Sequence, residues 1–219
     1  MNYLFLANTM LFRGIAVEDV KGILDCLGSF TKKYEKGDTV FRAGDTAESI
    51  GLVVTGSVNI ESDDVWGNKS IFGRAGVGEL FAESYACIPG EQMMVSVVAC
   101  EKTEVMFINA SRLLIPCSNS CLHHNRLIKN LLQVTTQKNL GLSRRILHTS
   151  SKTIRGRLLS YLSEHARQHG SYAFTIPFNR QQLADYLSVD RSAMSNELSK
   201  MQKDGIIDYE KNSFIIHQI

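Results

Sequence analysis

The sequence predicts an α+β chain: an antiparallel β-roll (jelly roll), then a long helix, then a winged helix-turn-helix. Three observations carry that expectation. Between Ser29 and Ile108 short apolar runs alternate with glycine turns, the pattern of an antiparallel sandwich or barrel. From Leu122 to about Ile146 apolar residues recur every three or four positions, as on one face of a long helix. From Asn179 to Lys203 two helical patterns flank a tight turn, and two short β-branched runs follow.

Length and charge bound the function classes. The 219 residues leave room for one large or two modest domains, each with its own core. Hydrophobic content of 44% with 21% charged residues argues for a folded, water-soluble chain and against disorder. The net charge of +2 is unevenly placed: Met1 to Leu142 carries 13 basic and 15 acidic residues, Ser143 to Ile219 carries 11 and 7. The basic excess therefore lies with the helix-turn-helix, where a phosphate backbone would need it. No stretch is apolar enough to span a membrane. MNYLFLANTMLF has no basic lead, and Arg13 and Glu18 soon follow, so it reads as a helix or arm of the mature chain rather than a signal peptide. Five cysteines, Cys26, Cys87, Cys100, Cys117 and Cys121, are odd in number and scattered. They suggest no disulfide framework, and a reducing cytoplasm is the expected compartment.

In chain order, Asn8 to Leu27 reads as one or two short helices packed through Phe12, Ile15, Val20, Ile23 and Leu24. The β region is punctuated by Lys36-Gly37-Asp38, Ala43-Gly44-Asp45, Thr55-Gly56-Ser57, Trp66-Gly67-Asn68, Gly76-Val77-Gly78 and Pro89-Gly90. Pro116 suits the opening of the long helix. Leu127, Ile128, Leu131, Leu132, Val134, Leu142 and Ile146 then form a stripe that fits a homodimer seam or, alternatively, the chain's own β domain. His148 to Lys152 reads as a polar hinge. Thr153 to Gln168 is a further helix facing inward with Ile154, Leu158, Tyr161, Leu162 and Ala166, and Ala173 to Ile176 is a strand ended by Pro177. The expected domains are a β domain over residues 1–116 that would hold an effector, a dimerisation helix over 117–148, and a winged helix-turn-helix domain over 149–219.

The helix-turn-helix is the most strongly signalled element. Asn179 and Gln182 are spaced as a capping box, and Leu183, Ala184 and Leu187 make one apolar face. Asp190 is a good N-cap for the second helix, in which Met194, Leu198 and Met201 point inward. Its other face carries Arg191, Ser192, Ser195, Asn196 and Ser199, with Lys200 and Lys203 alongside and Glu197 as the one acid near it. A slim, donor-rich helix of this kind fits the major groove, where Arg and Asn read purine edges. Gly205 to Tyr209 and Phe214 to Ile216 flank the turn Glu210-Lys211-Asn212-Ser213 and read as a hairpin. Together they make a winged helix.

This order resembles the CRP/FNR family of bacterial transcription regulators. The likeness rests on Lys36-Gly37-Asp38, Phe41, Gly44-Asp45, Val53, Gly56, Val58, Ile60 and Gly78-Glu79-Leu80-Phe81-Ala82-Glu83. It continues in Gln133-Val134-Thr135-Thr136, Arg180-Gln181-Gln182-Leu183-Ala184, Val189-Asp190-Arg191, Leu198 and Gly205-Ile206-Ile207. It covers the chain from about Phe12 onward. The resemblance implies a homodimer on two-fold-symmetric double-stranded DNA, RNA polymerase as a partner, and no catalytic role. It implies base contacts from Arg191, Ser192 and Asn196, and phosphate or supporting contacts from Arg180 and Ser195, with Lys200 nearby. Many relatives carry Glu where Ser192 stands and Arg where Asn196 stands, so their half-site does not transfer.

The resemblance also frames the effector. Cyclic-nucleotide members hold the ribose with a Glu, matched here by Glu83, and the cyclic phosphate with an Arg followed by Ser or Thr. Those two positions fall on Met93 and Met94. A buried phosphate without a charged donor loses its strongest bonds, which argues against cyclic AMP despite Thr135 and Thr136. Adjacent methionines make an adaptable apolar lining, or plain packing. No cofactor can be named. The alternative class is a metal- or haem-dependent redox sensor or enzyme using Cys117, Cys121, His123 and His124. No nucleophile elbow, phosphate loop or HExxH pattern supports an enzyme.

Overall fold

The computed structural model describes residues 2–63, 69–115 and 122–217. The chain divides into two compact units, Met1–Thr136 and Gln137–Ile219.

The first unit opens with α1 (Tyr3–Ala7), capped by the Asn2 side chain on the Phe5 amide (3.0 Å), and α2 (Val17–Cys26). The sequence placed the first helical residues at Asn8; that residue instead ends α1. Asn2 supplies the N-cap, and Asn8 turns back to the Leu4 carbonyl (2.9 Å). Eight strands follow: β1 (Phe30–Tyr34), β2 (Thr39–Phe41), β3 (Ser49–Thr55), β4 (Val58–Asp63), β5 (Lys69–Ala75), β6 (Leu80–Phe81), β7 (Ser96–Ala99) and β8 (Thr103–Asn109). They form two antiparallel four-stranded sheets, in the orders β1-β8-β3-β6 and β2-β7-β4-β5. Ile50, Leu52, Val53, Val58, Val97 and Val105 fill one core, and β3 and β8 are buried over continuous runs, as their unbroken apolar stretches suggest. Gly56 turns β3 into β4 at φ +77°, and a Cβ there would meet the Lys102 carbonyl at 2.6 Å, so only glycine fits. Gly51 lies flat beneath the Phe81 ring, where a Cβ would sit 2.2 Å from a ring carbon. The turn Trp66-Gly67-Asn68 and Pro116 lie outside the described residues.

Two short helices, α3 (Glu83–Ala86) and α4 (Ala110–Leu114), precede the long α5 (Leu122–Thr149). The stripe along α5 divides. Leu127, Leu131 and Val134 are buried in the core of the first unit, with Ile128 packed beside them. Leu132, Leu142 and Ile146 are exposed, as are Leu140 and Leu147. Asn130, also buried, donates to the carbonyls of Leu11 and Arg13 at 2.8 and 2.9 Å.

In the second unit α5 runs on through His148, where the sequence suggested a hinge. His148 is buried, its ring nitrogens bonded to the Tyr186 hydroxyl (2.9 Å) and the Glu164 carboxylate. A polar residue that finds two partners in the interior behaves as core. The break falls in the rest of the expected hinge, between Thr149 and Thr153, whose side chain caps α6 (Ile154–His169) on the Gly156 amide (3.1 Å). Then come β9 (Ala173–Thr175), α7 (Arg180–Leu187), α8 (Arg191–Lys203), β10 (Ile207–Glu210) and β11 (Ser213–Ile216). The hairpin β10–β11 is joined by β9, so the wing is a three-stranded sheet in the order β10-β11-β9. Leu158, Leu162, Leu183, Met194, Leu198 and Ile207 form the core beneath.

Candidate nucleic-acid interface

The interface is built on α7 and α8. The Asn179–Gln182 capping box forms as read from the sequence: the Asn179 side chain accepts from the Gln182 amide (3.0 Å), and the Gln182 side chain accepts from the Asn179 amide (2.9 Å). Ser188 then takes a left-handed conformation (φ 53°) that ends α7. Asp190 accepts from the Ala193 amide at 2.7 Å and opens α8. Met194, Leu198 and Met201 are fully buried, which fixes the rotation of α8 about its axis.

That rotation leaves Arg191, Ser192, Asn196, Ser199 and Lys200 exposed and Ser195 half-buried. Among the described residues the side chains of Arg191, Ser192 and Asn196 make no hydrogen bond or ion pair, so their donors remain available. Ser195 and Ser199 donate to the carbonyls of Arg191 (2.9 Å) and Ser195 (3.1 Å), which keeps the face slim. Arg180, the first residue of α7, is half-buried. Glu197, the single acid of α8, turns away from this face and is bound by Arg155, which also reaches Asp204 at 2.8 Å. Lys200 lies 3.9 Å from the second Glu197 oxygen.

The brace behind the turn was not foreseen. Arg145 donates to the carbonyls of Tyr186 and Asp185, each at 3.0 Å. Arg157 donates to those of Leu187 and Ser188, each at 2.9 Å, and to Ser151 at 2.8 Å. Carbonyls at a helix end lack intrahelical donors and attract cations. No spacing rule announces donors 30 to 41 positions away. The Tyr209–Phe214 pair was likewise missed, although placing Lys211 and Asn212 in a two-residue turn makes those two direct partners.

The candidate effector residues lie in the first unit. Ala82, at φ 59°, swings the chain from β6 into α3 and brings Glu83 into a buried position. Met93 is buried, with its backbone tied to Asp45 and Gly44 (2.9 and 2.7 Å), whereas Met94 is 75% exposed. The two methionines thus do not share one environment. Thr135 is half-buried and donates to the Leu132 carbonyl (3.0 Å), and Thr136 is exposed. Cys117 and Cys121 lie outside the described residues. His123 sits 3.7 Å from an Asp19 carboxylate oxygen, and His124 is buried against the Arg112 carbonyl (3.2 Å). Among the described residues no group of three His, Cys, Asp or Glu side chains could hold a metal ion, and no helix is long and apolar enough to cross a membrane.

Comparison with known proteins places this geometry. Residues 31–118 match the cyclic nucleotide-binding domain family, and residues 156–219 match the Crp-like helix-turn-helix domain family. The chain is similar to the transcriptional activator protein FnrL of Cereibacter sphaeroides, 24% identical over 196 residues, 85% of this chain and 76% of that protein. It is also similar to the CRP-like protein Clp of Xanthomonas axonopodis pv. citri, 23% identical over 200 residues, 86% and 84% of the two chains. Among solved structures, CprK complexed with OCPA matches with a TM-score of 0.66 at 16% identity, over 92% of each chain. The c-di-GMP responsive regulator CLP of Xanthomonas campestris matches with a TM-score of 0.59 at 20% identity, over 93% of this chain and 100% of that one. At those identities the structural likeness speaks for the fold. Two domain families matched in the order in which the two units occur, with regulators as relatives, establish that this chain belongs to the CRP/FNR family of transcription regulators, with a cyclic nucleotide-binding-type domain ahead of a DNA-binding helix-turn-helix.

Proposed function

We propose that the chain acts as a homodimer on a two-fold-symmetric DNA site, with Arg191, Ser192 and Asn196 reading bases and Arg180, Ser195 and Lys200 serving the phosphate backbone. The observation that carries this reading is the surface of α8. Its apolar side is buried, its one acid is drawn off by Arg155, and its exposed side presents unspent donors. Arg suits the O6/N7 edge of guanine and Asn the N6/N7 edge of adenine. The exposed Leu132, Leu140, Leu142, Ile146 and Leu147 on α5 support pairing through that helix, since a long helix with an uncovered leucine stripe buries it against a copy. In this scheme residues 1–116 sense, 117–148 pair, and 149–219 bind DNA.

The effector belongs to the β-roll and is not cyclic AMP. The position where cyclic-nucleotide relatives place their phosphate-binding Arg is the buried Met93, which offers a phosphate no charge. The fold is not tied to one ligand, as c-di-GMP for CLP and OCPA for CprK illustrate. Effector binding shifts the population toward the dimer whose two α8 helices match one turn of DNA.

The test is a titration of the purified protein against duplex DNA from upstream of its own gene, aerobically and anaerobically. The expected result is a salt-sensitive, sequence-selective complex with two chains per site. The Asn196→Ala variant should relax preference at one base position per half-site, and Lys200→Ala should weaken all sequences alike. Absence of a selective complex in both atmospheres would refute the reading.

A further inference from the structure

Arg180 sits on an aromatic step. Its guanidinium carbon lies 4.7 Å from the centroid of the Tyr209 ring and 5.2 Å from that of Phe214. Tyr209 and Phe214 are direct partners across the β10–β11 hairpin, with rings 5.9 Å apart and tilted by 31°. Phe214 is buried, and the Tyr209 hydroxyl lies 3.3 Å from the Ser199 hydroxyl on α8. The step is thus fixed both to the wing and to the recognition helix.

The half-buried Arg145 and Arg157 of the same unit spend their guanidinium donors on backbone carbonyls. Among the described residues the Arg180 side chain makes no hydrogen bond and no ion pair. Burial presses its pKa below the usual arginine value, but arginine stays charged at neutral pH. A cation–π contact draws on the charge rather than on a hydrogen bond and leaves the five N–H donors unspent. The aromatic pair therefore orients the fork without consuming a donor. A planar fork held in one orientation with every donor open suits two parallel bonds to a phosphate.

We propose that Tyr209 and Phe214 are positioning residues that hold Arg180 as a pre-set clamp for one backbone phosphate per chain. The proposal rests on the DNA-binding reading above and adds the wing as the element that sets the clamp. Pre-orientation removes the ordering cost of a long side chain on binding, about two- to tenfold in affinity.

The test measures the salt dependence of binding to a mixed-sequence DNA duplex, because phosphate contacts act without regard to sequence. Arg180→Gln should lower the slope of log affinity against log salt by about 1 per chain. Arg180→Lys should restore the slope while leaving affinity below wild type, because a point charge cannot form the fork. Tyr209→Phe keeps the ring and loses only the Ser199 contact, so it should bind more tightly than Tyr209→Leu, which should lose about two- to tenfold. An unchanged slope for Arg180→Gln overturns the clamp, as does wild-type affinity for Tyr209→Leu or an altered base preference for Arg180→Gln. If Tyr209→Leu fails to fold, Arg180→Lys decides: wild-type affinity for that variant overturns the oriented fork. Wild-type protein without salt-dependent binding would overturn the DNA-binding reading itself.

Discussion

Replacing Arg157 by Met isolates the brace behind the helix-turn-helix. Arg157 is half-buried and makes three backbone hydrogen bonds, two to the carbonyls of Leu187 and Ser188 at the end of α7 and one to Ser151 ahead of α6. A charged donor to a backbone carbonyl is worth about 1.5 to 3 kcal/mol when shielded, and a solvent-reachable bond about 1 kcal/mol or less. Half burial and the carbonyls' access to water place three such bonds at about 2 kcal/mol together. Methionine keeps much of the apolar stem, so lost packing adds little. For a unit of this size 1 kcal/mol moves the melting temperature by about 4–8 °C, so the variant should melt about 10 °C lower. The assay is thermal unfolding of the intact chain, following the transition of the DNA-binding unit. Arg157→Lys should recover less than half of the loss, since one ammonium cannot span three carbonyls. A drop of under about 2 °C for Arg157→Met would refute the claim that these carbonyls depend on the guanidinium.

Other outcomes follow from the same structure. Asp190→Ala removes the N-cap of α8 and should cost about 1 kcal/mol, read as a lower urea midpoint at unchanged slope. If the proposed pairing through α5 holds, replacing Leu140 and Leu147, both exposed on α5, by Lys should shift the chain from dimer to monomer in analytical ultracentrifugation; an unaltered dimer would place the seam elsewhere. Burial, reinforced by the neighbouring His169, holds the pKa of His165 below the ordinary histidine value. The unfolded chain therefore takes up that proton first. Stability present above about pH 6.5 is lost as pH falls toward the depressed folded value. The melting temperature of the DNA-binding unit should thus fall on acidification, and His165→Phe should flatten that fall; identical slopes would count against it.

How legible each part was depends on how far apart its partners stand. The Asn179–Gln182 box, the Asp190 cap and the Met194, Leu198, Met201 face all use partners within seven residues, so spacing alone reveals them. The wing hairpin and the strand at Ala173 were both visible, but not that the strand joins the hairpin, because Ala173 and Ile215 pair across the entire helix-turn-helix. His148 looked like a hinge residue because its partners, Glu164 and Tyr186, lie 16 and 38 positions away. The glycine turns announced a β-roll but not its order; β1 pairs with β8 and β3 lies beside it, a matter of long-range core matching. The stripe on α5 concealed two faces, one packed on the β unit and one uncovered, since a drifting period does not say which neighbour each residue meets.

The place of β11 in its sheet has a consequence for how the protein is made. β11, synthesised after the other described elements of its unit, is the middle strand, flanked by β9 and β10. Until it arrives, neither neighbour has a ladder, and the Arg180 platform lacks Phe214. A nascent or prematurely stopped chain therefore carries a complete recognition helix without the frame that aims it. Transcripts cut short before Ser213 should yield protein that neither holds its fold nor competes for operator sites.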